Sequence, residues 1–208
     1  MIINSKYQFI FVHIPKTGGT SVQSVLRDLE GNEVLLCNFR TKHETFCQLR
    51  RRIRYRLLYR NAFQVLNGRP PFKSSDILNF NVMAVSRHPV DRFRSLFNYL
   101  KTIGHHAVSQ YSNLEEFAFA SLDFAKDSNL HSLRPQVRFI EGVDVQKLDI
   151  HKFEEMDSKL EIPFGVGSMS LHMPRLNRSR VHEGSSIDKR VRCLIEDYYH
   201  EDMLYFGY

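Results

Sequence analysis

The sequence predicts an α/β domain with a mainly parallel central sheet flanked by helices. Three observations carry this. A short run of aromatic and β-branched residues, Tyr7 to His13, is followed at once by turn signals at Pro15, Gly18 and Gly19. A second such run, Asn81 to Val85, is followed by Pro89 and an amphipathic stretch. Strand-like and helix-like segments alternate along the chain, which favours parallel strands joined by crossovers.

The elements follow in order. After the Tyr7–His13 strand and its glycine loop, Thr20 opens a helix with Val22, Val25, Leu26 and Leu29 on one face, ending before Gly31. Glu33 to Cys37 reads as a second strand. A long helix is expected from about Thr45 to Leu66, with Leu49, Ile53, Arg56, Leu57 and Arg60 sharing a face, and Asn67 to Pro71 breaks it. Asn81–Val85 is the third strand. Pro89 sits in a first helical turn, the position where its missing N–H costs nothing. Phe93, Leu96, Phe97 and Leu100 line that helix, which Gly104 ends. Shorter helices are expected at Leu114–Ala120 and Leu133–Ile140. Gln146 to Phe153 is open between strand and loop. A last helix spans about Asp188 to His200, with Val191, Leu194, Ile195 and Tyr198 inward. With 208 residues and no repeat or linker, the chain reads as one domain over 1–208. That size buries enough surface to fold without a staple.

Charge is unevenly spread. The net charge is +6, yet the stretch Thr45 to Ser75 contains no Asp or Glu and carries Arg50, Arg51, Arg52, Arg54, Arg56, Arg60, Arg69 and Lys73. That stretch alone is +8, so the remainder sums to about −2. A patch of this kind attracts a polyanion: nucleic acid, acidic polysaccharide or an anionic membrane. A merely solvated helix face is the plain alternative. No nucleic-acid recognition motif accompanies the arginines. Cys37, Cys47 and Cys193 are scattered and lack zinc or CxxC spacing. The start, Met1 to Gln8, lacks a secretory pattern, and no apolar run is long enough to span a membrane. A reducing cytoplasmic setting is therefore expected, with peripheral membrane contact through the Arg50–Arg60 helix as an option.

The chemistry concentrates in His13-Ile14-Pro15-Lys16-Thr17-Gly18-Gly19-Thr20-Ser21. Glycines permit positive φ and close backbone approach. Successive N–H groups and a helix N-terminus then form an anion cradle. Lys16 adds a point charge, and Thr20 and Ser21 add hydroxyls. The arrangement is P-loop-like but not a nucleoside-triphosphate loop. In that motif the lysine stands directly before the metal-holding hydroxyl, whereas here it precedes the glycines. A second group, Ser86-Arg87-His88-Pro89-Val90-Asp91-Arg92-Phe93-Arg94-Ser95, lies at the carboxyl end of the third strand. Ligands of open α/β sheets bind at such ends. Arg87 and Ser95 could hold one more phosphate there.

Together, HIPKTGGTS and SRHPVDRFRSLFNYL resemble the sulfotransferase family 2. These are carbohydrate sulfotransferases and their soluble bacterial relatives, which use 3′-phosphoadenosine 5′-phosphosulfate (PAPS). The resemblance implies a P-loop-like three-layer fold. It implies that Lys16, Thr17, Gly18, Gly19, Thr20 and Ser21 bind the 5′-phosphosulfate. It also implies that Arg87 and Ser95 bind the 3′-phosphate. The stretch Pro174 to Ser179 and the tail Tyr198 to Tyr208 are similar to the family's end, which makes Ser179 and Arg180 further nucleotide-binding candidates. The segment 48–76 stands apart as a basic helical insertion. By resemblance His43, in the segment after the second strand, is the general base, with Glu44 a weaker stand-in, and Lys16 stabilises the leaving group. Transfer would run from PAPS to a carbohydrate hydroxyl without a metal. His105 and His106 lack a partner at metal-ligand spacing. His13, inside the loop motif, is expected to orient the strand end. Tyr55 and Tyr59, four apart on the basic helix, could stack on sugar rings beside an acidic acceptor. Two alternatives stand against this reading: a non-catalytic module that binds nucleotide or polyanion, and a P-loop kinase-like phosphotransferase.

Overall fold

The structure, a computed structural model, describes residues 1–32, 43–55, 77–122, 130–156, 159–164, 167–172 and 187–208. The expected Glu33–Cys37 strand, the remainder of the long helix, Tyr59, Ser179 and Arg180 lie outside these residues.

A four-stranded sheet forms the centre, in the order β1 (Ile2–Asn4), β2 (Phe9–Val12), β3 (Asn81–Ser86), β4 (Leu148–Lys152). β2, β3 and β4 are parallel, and β1 runs antiparallel on the edge. Register pairs Val12 with Ala84 and Ser86 with Lys152, so the three parallel strands end on one rim. A separate antiparallel hairpin joins β5 (Lys159–Phe164) to β6 (Gly167–His172). Two of these features went unread in the sequence, the edge strand β1 and the hairpin. Gln146–Phe153 resolves into a 3-10 turn at Val145–Lys147 followed by β4.

Period-two alternation sends side chains to both faces of the sheet. Phe9, Phe11, Met83 and Val85 pack with Val22 and Leu26 of α1 (Gly19–Leu26) and with Leu160 and Ile162 of the hairpin. Ile10, Val12, Val82 and Ala84 pack on the other face against Leu49 and Ile53 of α2, helical over residues 46–55, and against Phe139 and Phe206. Three layers result. A third apolar cluster joins α3 (Pro89–Thr102), α4 (His106–Ser109), α5 (Leu114–Ser121) and α7 (Lys189–Tyr198) through Phe93, Leu96, Phe117, Val191 and Ile195. α3 ends as expected, with Gly104 at φ +63 just beyond its last turn.

One expected helix is interrupted. Leu133–Ile140 is not continuous: a 3-10 turn at His131–Leu133 gives way to extended Arg134, ahead of Pro135, before α6 (Val137–Ile140). The residue before a proline avoids helical geometry, and the carbonyls of Ser132 and Arg134 are turned to the guanidinium of Arg92, at 2.8 and 2.6 Å. The last expected helix forms as α7, and beyond Tyr199 a further helix follows, α8 (His200–Phe206). There the Tyr199 hydroxyl donates to the Leu133 carbonyl at 2.6 Å.

Arg92 is 2 % exposed and joins four parts of the chain. Besides the two carbonyls above, its Nε donates to the Pro15 carbonyl at 3.2 Å, and its Nη1 lies 3.8 Å from Asp202 of α8. Asp202 accepts in turn from the Gln136 and Val137 amides at 2.8 and 3.0 Å. Gln136 grips Arg87 through both backbone groups, at 3.0 and 2.8 Å. Burial pushes the Asp202 carboxyl upward, and Arg92 and the amide bonds oppose that push. Removing one member of a buried charged pair strands the other. Asp202→Ala is therefore expected to cost about 3–5 kcal/mol in urea unfolding, whereas substitution of exposed Asp188, a helix cap, costs about 1 kcal/mol.

Candidate functional site

The rim where β2, β3 and β4 end carries the candidate site. β2 runs into the glycine loop, β3 into Arg87, and β4 into Phe153. The Phe153 amide donates to the Ser86 carbonyl at 2.8 Å, which holds the last two exits together.

Gly18 caps α1 in the left-handed region, at φ +81, and supplies no side-chain cap. The Ser21 amide turns back to the Gly18 carbonyl at 3.0 Å. The first-turn N–H groups of Gly19 and Thr20 have no acceptor within the helix, and the helix dipole adds positive potential there. The reason for two glycines is partly internal. A Cβ on Gly18 would stand 2.6 Å from the Phe153 ring, and one on Gly19 would stand 2.1 Å from the His13 ring. The room that the loop needs is thus already taken by the protein's own aromatic side chains. Thr17 turns inward: it is buried, and its hydroxyl donates to the Ile14 carbonyl at 3.0 Å. Thr20 is exposed, and Ser21 is half-buried.

Lys16 also has positive φ, +66, without being glycine. A left-handed backbone at such a residue costs on the order of 1–3 kcal/mol and is held only by its surroundings. Its Nζ lies 4.0 Å from the centre of the Tyr99 ring on α3. Burial, and then the nearby Arg87 charge, lower its pKa from the ordinary lysine value. Arg87 donates from Nη1 to the Lys16 carbonyl at 3.3 Å and lies 4.5 Å from the Phe153 ring centre. Its Nε is buried and has no hydrogen-bond partner among the described residues. Burial lowers its pKa, opposed by Asp91, Glu154 and Tyr208, and a guanidinium remains charged throughout. An unsatisfied buried N–H of this kind invites an anion. Ser95 stands on α3 between Arg92, which holds the Pro15 carbonyl, and Tyr99, which faces Lys16. These three residues are three and four apart, so the helix sets Ser95 beside the loop.

His43 joins the same rim. Its ring meets the His13 ring edge-on at 4.7 Å, and its Nδ1 is 3.2 Å from the His13 carbonyl oxygen. A proton on Nδ1 donated to that carbonyl makes Nε2 the basic nitrogen. His131 fixes the His43 backbone through a 2.5 Å contact to its carbonyl. Glu44 is committed elsewhere, held by Arg52 in a two-pronged pair at 2.7 to 3.1 Å. Beyond Thr45, two hollows of about 320 and 440 Å³ meet at Cys47. Arg134 and Arg138 line the first, and Arg50, Arg51, Arg54 and Tyr55 line the second. Arg138 is paired with Glu201 and Glu141, while Arg50, Arg51, Arg54 and Arg134 form no ion pair among the described residues.

Lys16, Gly18 and Arg87 adjoin one another on this rim, through the Lys16 carbonyl and the Phe153 ring, and His43 adjoins His13, whose ring lies against Gly19. Arg92, Tyr99, Gln136 and Phe153 contact the residues of this rim without having been singled out. The spacing of Arg92 and Tyr99 around Ser95 was a readable signal, whereas Phe153 had none, because its neighbours are distant in sequence. Among the described residues no cluster of three or more His, Cys, Asp or Glu could hold a metal ion, and no helix is long and apolar enough to cross a membrane. Cys47 and Cys193 are free thiols.

The contact beneath Gly19 can be checked by a double-mutant cycle. Gly19→Ala is expected to lower stability by about 1–3 kcal/mol through overpacking. His13→Ala, which vacates the space, should recover most of that loss in the double variant, measured by chemical unfolding.

No curated protein and no solved structure matches the chain. A profile of the sulfotransferase family does, over residues 1–208, the whole chain. That full-length agreement, on a parallel sheet whose rim presents the loop and Arg87 together, shows that this chain belongs to the sulfotransferase family.

Proposed function

We propose that the protein moves the sulfuryl group of PAPS to a hydroxyl of a carbohydrate. The observation that carries this reading is the meeting of two anion-seeking elements. The backbone of the loop opening α1 and the Arg87 guanidinium adjoin at the Lys16 carbonyl, 3.3 Å from Nη1. A nucleotide with an anionic group at each end suits that pair. The unsatisfied Arg87 Nε and the Lys16 amine, held on an aromatic ring rather than on a carboxylate, fit such a ligand.

PAPS supplies an activated sulfur whose bond to a phosphate oxygen is the one to break. The loop amides and the α1 terminus hold that end, and Arg87, with Ser95 nearby, holds the 3′-phosphate. His43 accepts the acceptor hydroxyl proton on Nε2 as the hydroxyl oxygen bonds to sulfur. The S–O bond to adenosine 3′,5′-bisphosphate breaks in line, and charge grows on the bridging oxygen. Lys16 stabilises that charge. With cations already offsetting the charge, these residues supply the stabilisation without a metal. The arginine-lined hollows begin beside Thr45, two residues from His43, and four of their guanidiniums form no ion pair among the described residues. An acidic carbohydrate acceptor lying there would bring its hydroxyl toward the base. An anionic membrane surface on the same arginines is compatible with that use.

The test is transfer of label from sulfur-labelled PAPS to neutral and acidic oligosaccharides, with and without a chelator. Transfer is expected to persist with the chelator. Lys16→Ala should cost about 10²–10³ in kcat, and His43→Ala about 10²–10⁴. The lowered Lys16 pKa also predicts a sign. The amine loses its proton at a lower pH than a free lysine, so the alkaline fall of kcat/KM should start below the ordinary lysine value. Bound donor, being anionic, should move the corresponding fall of kcat upward. A magnesium-dependent reaction with ATP and no binding of PAPS would overturn the reading.

A further inference from the structure

Phe153 has a position that the chemistry above does not use. It follows β4, is 38 % exposed, and is tied by its amide to the end of β3. The edge of its ring, at Cε2 and Cδ2, fills the space that a side chain on Gly18 would need. Its π-system meets the Arg87 guanidinium at 4.5 Å. One ring therefore touches both anion-seeking elements, the loop cap and the arginine. A guanidinium on an aromatic face is held in plane and orientation. A rigid ring against a glycine fixes how closely the loop can approach it.

We propose that Phe153 is a positioning residue that sets the spacing between the two anion sites, and so selects nucleotides carrying anions at both the 3′ and 5′ positions. The inference rests on the donor reading given above. Without the ring, each site still has its own donors: the loop its amides, and Arg87 the N–H groups not spent on the Lys16 carbonyl. What is lost is their fixed separation, so the loss falls on ligands that must engage both at once. This differs from a general packing role, which would weaken every ligand alike.

The experiment is calorimetric titration of the full chain with adenosine 3′,5′-bisphosphate, adenosine 5′-monophosphate and adenosine 3′-monophosphate. It uses the unaltered protein, Phe153→Ala and Phe153→Leu, with thermal unfolding as a control on folding. Phe153→Ala is expected to weaken the bisphosphate about tenfold or more and each monophosphate about threefold or less. Phe153→Leu, which keeps apolar bulk against Gly18 but removes the π-face, should fall between. Should Phe153→Ala fail to fold, Phe153→Leu alone must still lower the bisphosphate-to-monophosphate preference. Equal weakening of all three ligands, or unchanged preference, overturns the spacing role while leaving the donor reading intact. Failure of the unaltered, folded protein to bind the bisphosphate overturns both.

Discussion

Everything at the rim depends on one buried cation. Arg92 sits at the point where the glycine loop, the 131–137 segment, and α8 converge, and it supplies the donors that their carbonyls and carboxylate require. A buried guanidinium is tolerated only when its charge and N–H groups are met. Meeting them here consumes the carbonyls that a continuous Leu133–Ile140 helix would have used itself. The helix is broken and the site is built by the same hydrogen bonds. Through Asp202 and Gln136 the constraint extends to the Arg87 backbone, so a structural arginine positions the one that faces the ligand site.

The division of labour among the arginines follows from their surroundings. Arg92 turns Nε and Nη2 to backbone carbonyls and Nη1 toward the Asp202 carboxylate. Arg52 is satisfied by Glu44. Arg87 is only partly satisfied, with Nη1 on a carbonyl and a buried Nε left over. Arg50, Arg51 and Arg54 of α2 line an open hollow and form no ion pair among the described residues. Exposed ion pairs contribute little to stability, so the sequence loses little by leaving these last guanidiniums unmatched, and it retains positive potential next to the site.

Much of this was legible beforehand. The Tyr7–His13 and Asn81–Val85 strands, the Pro89 helix start, and the glycine loop carry local signals strong enough to survive folding. The rim assembly was legible because parallel strands deliver their carboxyl ends together. What escaped depended on partners remote in sequence. β1 has three residues and gains its identity from pairing with β2. The hairpin Lys159–His172 shows its alternation only at Leu160, Glu161 and Ile162. The interruption at Arg134 could be suspected from Pro135, yet its purpose appears only when Arg92, some forty residues earlier, is brought against it. Glycines 18 and 19 were marked for a ligand's approach, and the sequence had no way to show what else they make room for: the rings of Phe153 and His13.

The left-handed backbone at Lys16 places two demands on one position. Conformation favours glycine or asparagine there, since neither resists positive φ as lysine does. Electrostatics favours a side chain that ends in a cation. A laboratory selection that rewarded heat resistance alone would drift toward the former, and would discard the amine in gaining ruggedness.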